Sequence, residues 1–118
     1  MKNCHNKQYE RQFVNMMTSQ GIFCMRIAGS GAGKEACCDC IMIKNGITHL
    51  VEVKATREKT FYIRQGIKEQ LEKMIHIAKE NNCVPILAIK FKHKGWKIID
   101  LNCKDILLNS ITTSLSHD

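Results

Sequence analysis

Asn45-Gly46 stands between two segments rich in β-forming residues, 38–44 and 47–54. That dipeptide is the strongest short-range signal for a β-hairpin, because both residues accept the positive φ of a type I′ turn. A two-residue turn also sets register: Lys44 faces Ile47, and each step back along the first arm meets one step forward on the second. Asp39 then faces Glu52, and strand alternation puts Lys54 on the face that carries Glu52. Directly opposed residues hold their Cβ atoms about 5 Å apart. Two carboxylates at that spacing repel each other unless a cation sits between them or one keeps its proton. The pattern reads as a divalent-metal site with an ammonium beside it.

A chain of 118 residues, 44% of them hydrophobic, suits one compact domain with one core. The expected organisation is a single domain over 1–118, with its core at about 6–101 and an unassigned tail at 102–118. No run of about 18 apolar residues occurs, so no membrane span is expected. The start, Met1-Lys2-Asn3-Cys4-His5-Asn6-Lys7, lacks the apolar stretch of a signal peptide, and a cytoplasmic location is expected. Lys and Arg number 18 against 11 acids, a formal net charge of +7. On so small a protein this excess suits a polyanionic partner, most simply nucleic acid. The seven cysteines include the cluster Cys37, Cys38 and Cys40, but no pair of C-x₂-C spacings, so structural zinc is not expected. If Asp39 points into the site, alternation sends both Cys38 and Cys40 to the opposite face, where core packing is their expected role.

No repeat or linker divides the chain. A first helix is expected at about 6–19, ended by Gly21. A strand follows at 22–27, then a glycine-rich loop through Gly29, Gly31 and Gly33, then the hairpin. The stripe Ile63, Ile67, Leu71, Met74, Ile75 and Ala78 predicts a second helix at about 61–81. Strands are expected at 84–91 and 96–101, joined through Gly95, and 103–115 forms a short helix or a loose tail. The continuous apolar run Ile86-Leu87-Ala88-Ile89 marks a strand buried on both faces and central in the sheet. The fold class is therefore α/β, a mixed central sheet flanked by helices. Trp96 and Phe91 are expected in the core.

Phe13, Val14 and Met17 follow Glu10 at three, four and seven residues, which turns Glu10 toward the apolar face of the first helix. An inward carboxylate is costly unless paired or metal-bound. A lone Glu-x-Lys on a strand is ordinarily a solvated face. Its combination with Asp39, an inward Glu10 and an intervening glycine-rich loop points elsewhere. Asp39 followed by Glu52-Val53-Lys54 resembles the PD-(D/E)xK nuclease signature, although Cys38 stands where that signature has proline. More closely, the chain resembles the archaeal Holliday junction resolvase family. The landmarks are Tyr9-Glu10-Arg11, Gly21-Ile22-Phe23, Arg26-Ile27-Ala28-Gly29-Ser30-Gly31, Asp39, Glu52-Val53-Lys54, the strand from Pro85 to Phe91 and Gly95-Trp96.

The resemblance implies a restriction-endonuclease-like fold and a homodimer that cuts four-way DNA junctions with a divalent metal. That metal is usually Mg²⁺, with Mn²⁺ as a substitute. It also implies a catalytic role for Ser30. Asp39, Glu52 and the Val53 carbonyl offer hard oxygen ligands suited to Mg²⁺, and Glu10 holds the same ion through water or binds a second one. Lys54 either holds the attacking water or stabilises charge on the phosphorus centre.

Candidate DNA contacts are Arg11, Arg26, Lys34, Arg57, Lys59 and Arg64, with Gly29 and Gly31 allowing the backbone close to a phosphate. Lys90, Lys92 and Lys94 alternate along a strand and are expected on one of its faces, as further candidates to neutralise phosphates in a salt-sensitive way. Lys34 is followed by Glu35, so no P-loop and no nucleotide cofactor are expected. Two other readings stay open: a general repair or restriction-type nuclease of the same superfamily, and a non-catalytic DNA-binding module.

Overall fold

The computed structural model describes residues 2–27, 37–102 and 110–112, with side chains for 7–27 and 37–102. In chain order the elements are α1 (Lys2–Ser19), β1 (Phe23–Arg26), β2 (Cys40–Lys44), β3 (Ile47–Thr56), β4 (Thr60–Tyr62), α2 (Gln65–Glu80), β5 (Val84–Phe91), β6 (Gly95–Asp100) and β7 (Ser110–Thr112). Five strands form one sheet in the order β1-β2-β3-β5-β6, and β4 pairs with β7 in a separate ribbon. The pairings β1–β2, β2–β3 and β5–β6 are antiparallel, and β3–β5 is parallel. The sheet is thus mixed, as expected.

The β2–β3 turn forms as its sequence demands: Asn45 has φ 54° and Gly46 has φ 78°. Lys44 pairs with Ile47 and the ladder runs without a slip to Cys40 opposite Val51. Gly21, at φ 83°, closes α1, with its N–H donated to Thr18 O at 2.9 Å and the Ile22 N–H donated to Met17 O at 3.0 Å.

Alternation along β3 divides the core. Val51 and Val53 pack with Tyr9, Phe13 and Met17 of α1, and Leu50 packs with Leu71, Met74 and Ala78 of α2. The helices therefore cover opposite faces, in three layers. β5 is buried from Pro85 to Ile89, as its apolar run requires. It lies one place from the middle, which β3 occupies. Phe91 is buried, and Trp96 is half-buried with its ring 5.6 Å from that of Phe13.

Several expectations are corrected. The second helix starts at Gln65, because Thr60–Tyr62 is drawn into pairing with β7; Ile63 still joins the α2 core from outside the helix. The tail contributes β7, and the rest of 103–118 lies outside the described residues. Cys38 and Cys40 do not share a face: Cys38 packs on the α2 side and Cys40 on the α1 side. The cause is a break in alternation at Asp39, which lies outside β2. Among the described residues, no helix is long and apolar enough to cross a membrane.

Leu71 is fully buried between α2 and the sheet. Leu71→Ala is expected to cost about 2–5 kcal/mol of unfolding free energy, read as a lower urea midpoint at unchanged slope. A loss under 1 kcal/mol would contradict the packing described.

Candidate active site at one end of the sheet

The acidic residues meet where the β2–β3 ladder ends. Beyond Cys40 the chain leaves the regular pairing. The Asp39 N–H is donated to Val51 O at 2.9 Å, the residue already paired with Cys40, whereas a regular ladder would turn it toward β1. The Asp39 O accepts the Ile27 N–H at 2.8 Å, which prolongs the β1–β2 pairing by one step. The Asp39 side chain does not simply stand opposite Glu52, as the register alone predicts. Its Oδ2 accepts the Val53 N–H at 2.9 Å, so a carboxylate takes the place of a missing strand carbonyl.

Glu52 and Lys54 project from β3 toward the α2 side, with Lys54 Nζ 3.3 Å from Glu52 Oε2. Glu52 is 3% exposed. Glu10 enters from α1 on the other side and is 8% exposed, inward as its helical position predicts. Arg26, the last residue of β1, donates its Nε to Glu10 Oε1 at 3.0 Å. The sequence makes Arg26 a candidate DNA contact, and in the structure its guanidinium is the partner of Glu10. Arg11, Arg57, Lys59 and Arg64 are exposed. Gly29, Ser30, Gly31 and Lys34 lie outside the described residues.

One member of the cluster was not foreseen. Gln70 of α2 donates its Nε2 to Glu52 Oε2 at 2.9 Å. A spacing signal was present: Gln70 is three residues after Ile67 and four before Met74, at the edge of the apolar stripe of α2, although the residue itself is exposed. From the edge of that stripe its long polar side chain reaches over to the strand that carries Glu52.

The electrostatics follow from this crowding. Burial, and next the Asp39 carboxylate, push the Glu52 carboxyl up to about 8, against the opposing pull of Lys54. Burial and then Asp39 also raise Glu10, while the Arg26 hydrogen bond and charge pull it down. Asp39 is the common neighbour of both. Three carboxyl groups share two cations, and with all three ionised the site favours one more positive charge. Such hard oxygen donors fit a divalent ion of the Mg²⁺ type. As the side chains stand, no group of three or more His, Cys, Asp and Glu among the described residues is arranged to enclose an ion. Lys54 and Gln70 both occupy Glu52 Oε2, and the other Glu52 oxygen is the one left for a ligand.

A mixed sheet with a helix on each face, bearing an aspartate and a Glu-x-Lys at one end, defines the restriction-endonuclease-like class of α/β proteins. The family model of the archaeal Holliday junction resolvase (Hjc) matches residues 1–108. A crossover junction endodeoxyribonuclease of Sulfolobus islandicus rod-shaped virus 1 is 31% identical over 93 residues, 79% of this chain and 75% of that protein. The crossover junction endodeoxyribonuclease Hjc of Archaeoglobus fulgidus is 29% identical over 91 residues, 76% of this chain and 64% of that protein. The solved structure of Archaeoglobus fulgidus Hjc, a Holliday junction resolvase, superposes with a TM-score of 0.71 at 22% identity, over 92% of this chain and 89% of that one. The chain belongs to the archaeal Holliday junction resolvase family.

Glu52 has a consequence for stability. Its folded value of about 8 lies above the ordinary 4.5. Between those values the folded state holds a proton that the unfolded state has released, so stability falls as pH rises through this window. Below it no penalty exists, and above it the penalty is complete. In the presence of a chelator, Glu52→Gln is expected to gain melting temperature relative to the parent between pH 5 and pH 8.5. Parallel melting curves across that range would refute the assignment.

Proposed function

We propose that the chain is a Mg²⁺-dependent endonuclease that resolves four-way DNA junctions in recombination and repair. Mn²⁺ is expected to substitute. The observation that carries this reading is the meeting of Glu10, Asp39 and Glu52 beside Lys54 at one end of the sheet. It stands in a chain whose family is that of the archaeal junction resolvases. Relatives bearing the name crossover junction endodeoxyribonuclease support the choice of substrate. Symmetric resolution needs two cuts on opposing strands. One acidic site per chain supports action as a homodimer with two sites.

Asp39, Glu52 and the Val53 carbonyl would hold the ion, with Glu10 beside them. A divalent ion bound there lowers the pKa of water and offsets charge on the scissile phosphate. The chain's own residues do the rest. Lys54, anchored 3.3 Å from Glu52, orients the attacking water or stabilises charge growing on the phosphate oxygens. Gln70 fixes one Glu52 oxygen and leaves the other for a ligand. Arg26 holds Glu10 by its Nε. Asp39 is held by the Val53 amide, so its position follows the backbone of the strand that carries Glu52 and Lys54. Ser30 assists catalysis on the strength of the family resemblance, and Arg11, Arg57, Lys59, Arg64, Lys34 and the Gly29 and Gly31 backbone take phosphates of the substrate.

A labelled four-way junction tests the reading. Paired nicks are expected with Mg²⁺ and none with EDTA. Asp39→Ala and Glu52→Ala are expected to lose at least about 10²–10³-fold in cleavage while junction binding survives. Equal rates on linear duplex and junction would favour a general repair or restriction-type nuclease. Binding without cutting in Mg²⁺ or Mn²⁺ would favour a non-catalytic module. Gln70→Ala, which removes one hydrogen bond to a charged acceptor, is expected to slow cleavage by about 10-fold or more at unchanged binding. An unchanged rate would deny it a role in holding Glu52.

A further inference from the structure

We propose that the tip of the β5–β6 hairpin, Lys92-His93-Lys94, is a phosphate-binding contact for a duplex arm of the DNA substrate, about four base pairs from the cut. The proposal rests on the nuclease reading above and adds a place on the molecule that holds the arm.

Placement comes first. β3 and β5 run parallel, with Thr56 opposite Phe91 at their carboxyl ends. The tip therefore emerges at the end of the sheet toward which Glu52 and Lys54 point the chain. The strand ends at Phe91, so only Lys90 lies on it; Lys92 and Lys94 belong to the turn rather than to a strand face, contrary to the alternation in the sequence. The turn is pinned by two backbone hydrogen bonds. The Lys92 N–H is donated to Thr56 O at 3.0 Å and the Lys94 N–H to Phe91 O at 2.9 Å. Gly95, at φ 114°, returns the chain into β6. The first of these bonds ties the tip to the segment that carries exposed Arg57 and Lys59.

Charge comes second. The stretch 81–99 contains no Asp or Glu. Lys92, His93 and Lys94 are exposed, and among the described residues neither Lys92 nor Lys94 forms an ion pair. Lys90 lies 6.0 Å from the Trp96 ring centroid, on the flank of the same hairpin. A pre-formed tip of unpaired ammonium groups, continued by Arg57 and Lys59, is complementary to a regular polyanion. Lysines are point charges on flexible stems and carry no planar fork for reading bases. The contact supplies salt-sensitive, sequence-independent affinity.

Length comes third. Four residue steps along the strand lead from Glu52 to Thr56, a span of about 13 Å at ~3.3 Å per residue. A duplex laid along the strand direction advances about 3.4 Å per base pair. With its scissile phosphate at the acids, the phosphates that reach the tip are about four base pairs away.

The test is junction binding in EDTA, scored without cleavage over a series of salt concentrations. For Lys92→Ala/Lys94→Ala the slope of log K against log salt is expected to shrink by about 2, near 0.9 for each lost phosphate contact. Lys44→Ala removes a charge at the opposite end of β3 and is expected to keep the parent's slope. A neutral methylphosphonate four nucleotides from the cut should weaken the parent and leave the double variant unmoved. An unchanged slope in the double variant overturns the proposal. So does an equal loss per charge in Lys44→Ala, which would mark a diffuse charge effect. A parent that binds but never cuts refutes the nuclease reading and leaves this measurement readable. A parent that does not bind the junction overturns the tip contact.

Discussion

The hydrogen bond from the Val53 amide to Asp39 Oδ2, 2.9 Å long, is where the sheet gives way to the site. A buried strand amide needs an acceptor. β2 ends at Cys40, so no further strand carbonyl is offered on that side, and the Asp39 carboxylate accepts instead. The side chain is then held in the plane of the sheet, between Glu52 on the α2 face and Glu10 from α1. Its influence on both carboxyls follows from that middle position. The acid that leaves the ladder is the acid that joins the two faces of the molecule at one point.

This arrangement is costly to the fold by itself. Carboxylates are seldom buried without full pairing. Here Glu52 sits nearly out of solvent with one ammonium and one amide for company. A core selected for stability alone would place an apolar side chain at that point of β3, between Val51 and Val53. The strain is local because the surrounding layers are ordinary: branched aliphatics on β3 and β5, packed against an apolar stripe on each helix. The two helices do more than cover the sheet. Each delivers one polar group into the site, Glu10 from α1 and Gln70 from α2, so helix packing and site geometry are one and the same constraint.

Much of this was legible in the residues. The Asn45-Gly46 turn specified the β2–β3 register without error, because both turn residues need a positive φ that few others accept. The inward face of Glu10 follows from helical spacing, and the buried character of β5 from its unbroken apolar run. What was missed depends on partners distant in sequence. Thr60–Tyr62 became a strand because β7 lies alongside it, and helical periodicity at Ile63 concealed this. Unbroken alternation would put Cys38 and Cys40 on one face. The local slip at Asp39 separates them, and a slip of one residue inverts faces. Gln70 escaped because its role is set by a strand eighteen residues away, although its helical position marked it. The aspartate–glutamate meeting was anticipated, but its route was not: the contact is made at the broken edge of the ladder and not across a regular pair.

The polarity of the sheet explains why these groups collect at one end. β3 and β5 present their carboxyl ends together, and open α/β sheets bind ligands outside such ends. The antiparallel neighbours contribute there by whichever terminus lies at that end: β1 by its last residue, Arg26, and β2 by the residue before its first, Asp39. The opposite end of β3 holds the Asn45-Gly46 turn, which needs only to be short and correctly registered. A tight turn at one end thereby controls chemistry at the other, since every pairing from Lys44 to Cys40 transmits its register without a gap. The break comes only at the last step, where the backbone amide of Val53 meets a side chain in place of a strand.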